Sequence, residues 1–435
     1  MKTPKINNIN KPVFLRPKKG YVFQNIPVYF FPDNNTSITG IEFLFEIDSS
    51  ILNKNSALSL SSVNSYLTCG TNKMTEFEIN KKIDSFGAYI SKNYNRRHFE
   101  LSLHTLSNTI SSVLPVMTDC IFNSIFPEEV IKNKLNNEKK SFIISSTKVT
   151  EKAKIKFKEI LYGNDHVFGK KTELNDFNNL NSNILNNIHS NICCFQVEKN
   201  KNFVSNLNIL ISGDYPKNII RILEDNLPKS LQINSFQKLE SVDKRSSSCH
   251  YIVKDKALQT AFRIGRILPG HSHCDFFGLK VLITILGGYF GSRLMTNIRE
   301  EKGYTYGIGA YLLTEKNYSE LNIVTEAGSK YTKQVYSEIV KEIKNLSENS
   351  ISFSELSRVK SYMLGSILHN CNGLFPQVSV FKDLKKHDSN FNFLEKLNFE
   401  INSITPSKIK YLANKYLNVD DISFVACGPK EEKIW

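Results

Sequence analysis

The sequence predicts an α+β fold made of two similar α+β domains related by internal duplication. Length, a repeat and mixed strand and helix patterns carry that expectation. At 435 residues the chain exceeds what one hydrophobic core ordinarily serves, so two domains are expected. The repeat is read from matched order. Gly87-Ala88-Tyr89-Ile90, Asn93-Tyr94 and Glu100-Leu101-Ser102-Leu103 find counterparts in Gly309-Ala310-Tyr311-Leu312, Asn317-Tyr318 and Glu320-Leu321-Asn322-Ile323. The offset is about 220 residues, roughly half the chain. A candidate strand precedes each copy, Ile41 to Ile47 and Ala261 to Ile267, and a helical pattern follows each strand. Strands mixed with helices, and no Rossmann glycine fingerprint, favour α+β over a doubly wound sheet.

The polar stretch from Leu227 to Ser248, with Ser246-Ser247-Ser248, reads as a linker. It divides the chain into an amino-terminal domain, 1–226, and a carboxy-terminal domain, 249–435. The Asn-rich run from Leu174 to Ile188 keeps Leu180, Ile184, Leu185 and Ile188 at helical spacing and is expected to form a helix.

Hydrophobic residues at 40% and charged residues at 23% describe a globular protein. The formal charge of +14 comes from scattered lysines, with dibasic pairs such as Lys18-Lys19, Lys139-Lys140 and Lys385-Lys386. Such pairs read as solvated surface, and no run gathers them into a nucleic-acid footprint. The eight cysteines, Cys69, Cys120, Cys193, Cys194, Cys249, Cys274, Cys371 and Cys427, show no C-x-x-C spacing. They suit reduced thiols in a cytoplasmic protein better than a disulfide framework or a zinc knuckle. No stretch approaches membrane-spanning length, and the first fourteen residues lack the apolar core of a signal peptide. No membrane or nucleic-acid partner is therefore expected.

The most specific segment runs from Leu286 to Tyr311. It contains Gly291-Ser292-Arg293-Leu294, Ile298-Arg299-Glu300, Gly303 and Tyr306, the tyrosine seven residues after the arginine. On these residues the chain resembles the carboxy-terminal half of the pitrilysin/insulinase family of zinc peptidases, particularly its small bacterial two-domain members. Leu268-Pro269-Gly270, Tyr162-Gly163 with His166 and Gly169, and Gly213-Asp214 extend the resemblance over most of the chain. The family carries H-x-x-E-H on a helix of its first half. That spacing sets two imidazoles one turn apart and places the Glu to take a proton from zinc-bound water. A distant Glu is the third ligand. Counting back from Gly70-Thr71, the five positions here hold Ser61, Ser62, Val63, Asn64 and Ser65.

Leu60, Val63 and Leu67 still mark a helix, so the scaffold is expected to survive without its ligands. Glu138, on the helix opened by Pro127-Glu128-Glu129, either occupies the place of the distant ligand or is an exposed helix carboxylate. One carboxylate cannot hold catalytic zinc. None of the nine histidines lies in H-x-x-E-H or H-x-x-x-H spacing. His271-Ser272-His273-Cys274 reads as a loop before a helix, and Cys69 as a buried thiol. Neither G-x-S-x-G nor a P-loop occurs.

The resemblance implies that Arg299 and Tyr306 bind substrate, holding its backbone and the developing oxyanion. Guanidinium and phenol can both donate to a carbonyl acquiring negative charge. The bland alternative is an Arg in a surface ion pair and a Tyr with its hydroxyl in water. By the resemblance, this chain is a non-catalytic, substrate-binding subunit of a heteromeric zinc metallopeptidase that hydrolyses unfolded peptides. No catalytic or metal-binding residue and no cofactor are expected in this chain, which would be inactive alone. A homologous partner subunit would supply the zinc. The alternative is a structural scaffold subunit that retains a peptidase fold.

Overall fold

The computed structural model describes residues 12–95, 97–193, 202–204, 206–229, 231–233, 242, 245–429 and 434–435. Its first sheet comprises β1 (Lys18–Val22), β2 (Ile26–Pro32), β3 (Ile38–Glu46), β4 (Tyr89–Asn95), β5 (His98–Leu106) and, after the short β6 (Asn202–Val204), β7 (Leu207–Gly213). The spatial order is β1-β2-β7-β3-β5-β4. β6 pairs in parallel with β8 (Leu231–Ile233). The second sheet comprises β9 (Cys249–Val253), β10 (Gln259–Gly265), β11 (Ile267–Pro269), β12 (Thr305–Thr314), β13 (Tyr318–Gly328) and β14 (Ser423–Gly428). Its order is β11-β13-β10-β14-β9, with β12 also on β13.

The two sheets share one plan. The path β2-β7-β3-β5-β4 matches β9-β14-β10-β13-β12, parallel in the first pairing and antiparallel in the other three. The sequence repeat lands on equivalent strands, Glu100 in β5 and Glu320 in β13, Tyr89 in β4 and Tyr311 in β12.

Around the first sheet lie α1 (Ser49–Lys54), α2 (Ala57–Tyr66), α3 (Glu76–Ser85), α4 (Ile110–Phe122), α5 (Glu128–Ser146), α6 (Val149–Tyr162), α7 (Leu174–Asn179), α8 (Ser182–Cys193) and α9 (Ile219–Asn226). The second half adds α10 (Phe276–Gly287), α11 (Thr332–Glu348), α12 (Phe353–Asn370), α13 (Leu374–Lys386), α14 (Phe391–Ser403) and α15 (Pro406–Tyr416). Each half has its own apolar core, one reaching from Val22 to Leu231 and the other from Phe262 to Ala426. No described helix is long and apolar enough to cross a membrane.

Two helices cross over. α6, from the first half, packs on β10 and β14 of the second sheet, with Phe157 among Ala261, Val425 and Cys427. α13, from the second half, packs on β7 of the first sheet, with Phe381 among Tyr29, Phe31 and Leu210. Equivalent glutamates pin the exchange. Glu320 is fully buried and meets Lys158 and Tyr162, four residues apart on one face of α6. Glu100 meets Lys382 at 3.4 Å and Lys386 at 2.6 Å, likewise four apart on α13, and Lys382 also bonds Glu42.

Three local expectations need correction. Lys386 is not solvated surface but only 9% exposed, because Glu100 lies under it. Its neighbour Lys385 holds its ammonium 4.5 Å from the centre of the Tyr29 ring. The Asn-rich run makes two helices rather than one. Leu180 is extended, and the Asn181 side chain accepts the Ile184 N–H at 3.1 Å, starting α8 afresh. The stretch read as a linker contains β8, and 234–241 and 243–244 lie outside the described residues, as does Cys194.

Candidate functional site

α2 carries the five positions of the missing motif. Ser56 caps it, accepting the Ser59 N–H at 3.1 Å, and Leu60, Val63 and Leu67 anchor it in the first core with no exposed surface. The expected helix is therefore present. Its polar positions are spent or enclosed. The Ser61 hydroxyl donates back to the Leu58 carbonyl at 2.9 Å. Ser62 and Asn64 are buried, and their Oγ and Oδ1 find no hydrogen-bond partner among the described residues. At the end of the helix Lys92 donates to the Ser65 carbonyl at 2.7 Å and to Thr68 Oγ1 at 2.6 Å. A cation there suits the negative end of the helix dipole. Burial lowers the pKa of Lys92.

Glu138, on α5, lies near the buried Tyr66 hydroxyl, whose pKa is raised first by burial and then by that carboxylate. A tetrahedral zinc site needs three or four imidazole, thiolate or carboxylate donors. Here there are two serine hydroxyls, an enclosed amide, one half-buried carboxylate and a lysine ammonium at the helix end. This donor set does not fit zinc.

His273, Cys274 and Asp275 are grouped, their potential ligand atoms within 4.8 Å of one another. Their lone pairs are largely committed. Asp275 accepts from Lys408 at 3.1 Å and from Lys415 and Tyr416 at 2.8 Å each. Burial would raise its pKa, but these donors outweigh burial and hold the carboxyl well below the usual range. His273 Nδ1 accepts the Asp275 N–H at 3.0 Å. The segment is a folded loop leading into α10, as expected. Cys69 is a buried thiol, pushed up to about 11 by burial.

The Arg/Tyr segment is built with more care. Met295–Glu301 forms a π-helical turn, a local form often found at functional sites. Leu294 and Ile298 root it in the second core. Arg293 makes a two-pronged bond to Glu355 on α12 at 2.8 and 3.0 Å. Asn297 donates to Glu338 at 3.0 Å and Glu342 at 2.6 Å on α11, and Lys302 reaches Glu338 at 2.8 Å. Gly303 then turns the chain at φ +64°, where glycine is favoured, and its N–H bonds the Arg299 carbonyl at 3.1 Å.

On this pinned backbone Arg299 lies over the Phe290 ring, 4.8 Å from its centre, and donates to Glu300 at 3.1 Å. Tyr306 sits at the irregular start of β12, where the pairing with β13 shifts register between Thr305 and Ile308. Thr305 fixes that point by donating to the Glu326 carbonyl at 2.6 Å. Tyr306 itself is 93% exposed. No hydrogen bond joins Arg299 to Tyr306 among the described residues. Both side chains stand on the surface, so the bland alternative describes their present surroundings. The structure adds Phe290, an exposed ring under the guanidinium that the motif reading passed over.

Comparison with known proteins bears on this geometry. Residues 204–363 match the profile of the peptidase M16 inactive domain. An uncharacterized zinc protease of Bacillus subtilis (strain 168) is 26% identical over 152 residues, 34% of this chain and 36% of that protein. The match thus spans about a third of that relative's length. An uncharacterized zinc protease of Rickettsia felis is 23% identical over 302 residues, 69% of this chain and 70% of that protein.

Among solved structures, a peptidase M16 inactive domain from Pseudomonas fluorescens superposes with a TM-score of 0.82 at 18% identity, covering 96% of this chain and 100% of that one. A protease from Helicobacter pylori gives 0.80 at 15% identity, covering 95% and 100%. These superpositions show the fold. Residues 204–363, which hold the Arg/Tyr segment, are thus similar to the inactive domain of M16 peptidases, and the chain shares the fold of the solved structures.

Proposed function

We propose that this chain is the non-catalytic, substrate-binding subunit of a two-chain zinc peptidase. The contrast between α2 and the Arg/Tyr segment carries the reading. The first has lost every imidazole and its general base, while the second keeps a braced backbone under exposed hydrogen-bond donors. A homologous subunit bearing H-x-x-E-H would supply zinc and general base, and this chain would supply Arg299, Tyr306 and part of the wall around an unfolded peptide. The chain alone would bind no zinc and cleave nothing. Reduced thiols and the lack of any described membrane-spanning helix favour the cytoplasm as its place of work.

Mixing the chain with a zinc-bearing homologue and following cleavage of an unfolded peptide tests this. Activity should depend on both chains, and a homologue equally active alone would overturn the reading. The scaffold alternative draws on a neighbour within a large assembly, a chain of complex III2 from Candida albicans with a TM-score of 0.70 at 13% identity, covering 94% of this chain and 95% of that one. It predicts that Arg299 and Tyr306 can be replaced without effect on turnover.

A further inference from the structure

Between the halves lies a cavity of about 650 Å³, within the usual range of roughly 300–1,000 Å³ for small-molecule sites. It is remote in composition from both segments just described, since neither α2 nor Arg299 or Tyr306 lines it. Its wall combines apolar rings with an unbalanced positive charge. Phe14, Phe276 and Phe393 provide apolar surface.

Three cations border the space. Arg97 is engaged by Glu315 at 3.0 Å, and Lys386 by Glu100 at 2.6 Å and Asp383 at 3.1 Å. Lys280, from α10, has no carboxylate or hydrogen-bond acceptor among the described residues, and its ammonium stands 5.7 Å from the centre of the Phe276 ring. Burial lowers its pKa.

Two imidazoles complete the polar wall. The rings of His271 and His387 lie 5.8 Å apart, and His271 Nε2 and His387 Nδ1 are buried without a hydrogen-bond partner among the described residues. A half-buried cation without a counter-ion and buried polar nitrogens without partners are costly, and a well-placed ligand removes that cost.

We propose that this cavity binds a small amphipathic carboxylate. The carboxylate accepts hydrogen bonds from Lys280 and from whichever imidazole nitrogen carries a proton, and the apolar body packs against Phe276 and Phe393. A lone charge-assisted contact, with aromatic walls on one side, selects a monoanion with an apolar body over a phosphate-rich polyanion. The same chemistry occurs in a free aryl-alkanoic acid and in the carboxy terminus of a short peptide ending in an apolar residue.

The test is isothermal titration of the full chain with 3-phenylpropionate, its neutral carboxamide and N-acetyl-Ala-Phe. At least one carboxylate should bind saturably, and the carboxamide about 10- to 100-fold more weakly, as expected for loss of a charged hydrogen bond. Binding of the free acid alone assigns the source to metabolite-sized acids, and binding of the peptide alone to peptide ends. Lys280→Met keeps the aliphatic stem and should cost the same factor, while Lys280→Arg keeps binding within a few-fold of the parent. Failure of both carboxylates to bind up to about 10 mM, or equal affinity in Lys280→Met, overturns the proposal.

Discussion

Lys158→Met should loosen the hold of α6 on the second sheet. The mutation removes an ammonium and little else, since methionine keeps the length and apolar character of the stem. Glu320, with no exposed surface, would lose this ammonium while keeping, among its donors, the Tyr162 hydroxyl at 2.6 Å and the Asn322 amide at 2.8 Å. Removing one partner of a buried ion pair costs about 3–5 kcal/mol, because the other charge stays desolvated. The Lys158 side chain keeps 19% of its surface in water and the Tyr162 and Asn322 donors remain, so the expected loss is lower, about 2–3 kcal/mol. Glu320→Gln should also destabilise. The double variant should cost about 1–2 kcal/mol less than the two single costs added, since neither change then strands a charge. Urea unfolding of the four proteins measures the cycle, and hydrogen exchange over 149–162 localises it. A single-variant loss below about 0.5 kcal/mol, or simple additivity, would refute the idea that this pair fastens the crossed helix.

Further outcomes are open to test. In a reconstituted two-chain peptidase, Arg299→Ala or Tyr306→Phe should lower kcat by on the order of 100- to 1000-fold while co-purification is unchanged, the usual loss for one oxyanion donor. Elemental analysis of the isolated chain should find no stoichiometric zinc, and one tightly held ion per chain would contradict the donor inventory of α2. His189, enclosed and bonded through Nε2 to the Ile121 carbonyl at 2.7 Å, has its pKa lowered by burial to about 4 from the ordinary 6.5. The unfolded chain then binds the proton more readily. Its contribution is complete above about pH 6.5 and is lost as pH falls towards 4, by up to about 3 kcal/mol. Unfolding midpoints of parent and His189→Gln between pH 7 and 4 read this as a shallower slope in the variant; identical slopes would count against it.

Local patterns in the sequence reported local structure well. Leu60, Val63 and Leu67 specify a buried helix stripe whatever the polar positions hold, so α2 was legible although its ligands are gone. The repeat was legible because β5 and β13 use the same alternation beginning at Glu100 and Glu320, and a two-residue period fixes which side chains face the core. The crossing of α6 and α13 was not, since the partners of Phe157 and Phe381 lie a hundred or more residues away and leave no periodic trace. Lys386 was misjudged for the same reason: a dibasic pair looks solvated until the carboxylate beneath it is known. His271 was correctly placed in a loop, yet its facing of His387 depends on where α13 lies. The surface position of Tyr306 rests on a strand irregularity that motif spacing cannot report.

The reciprocal loan of α6 and α13 changes what the two-part plan permits. If the halves were severed, the first would uncover Tyr29, Phe31 and Leu210 and leave Glu42 and Glu100 without their lysines. The second would uncover Ala261, Val425 and Cys427 and take Lys158 and Tyr162 away from Glu320. Each piece would be insoluble or unfolded without its complement, so the duplication is no longer a pair of separable modules. A hinge between the sheets would have to strip a helix from each and drag two glutamates out of their ion pairs at once. In the proposed two-chain peptidase, a gate that admits a long peptide would then open at the seam between the two chains, with this chain swinging as one solid jaw.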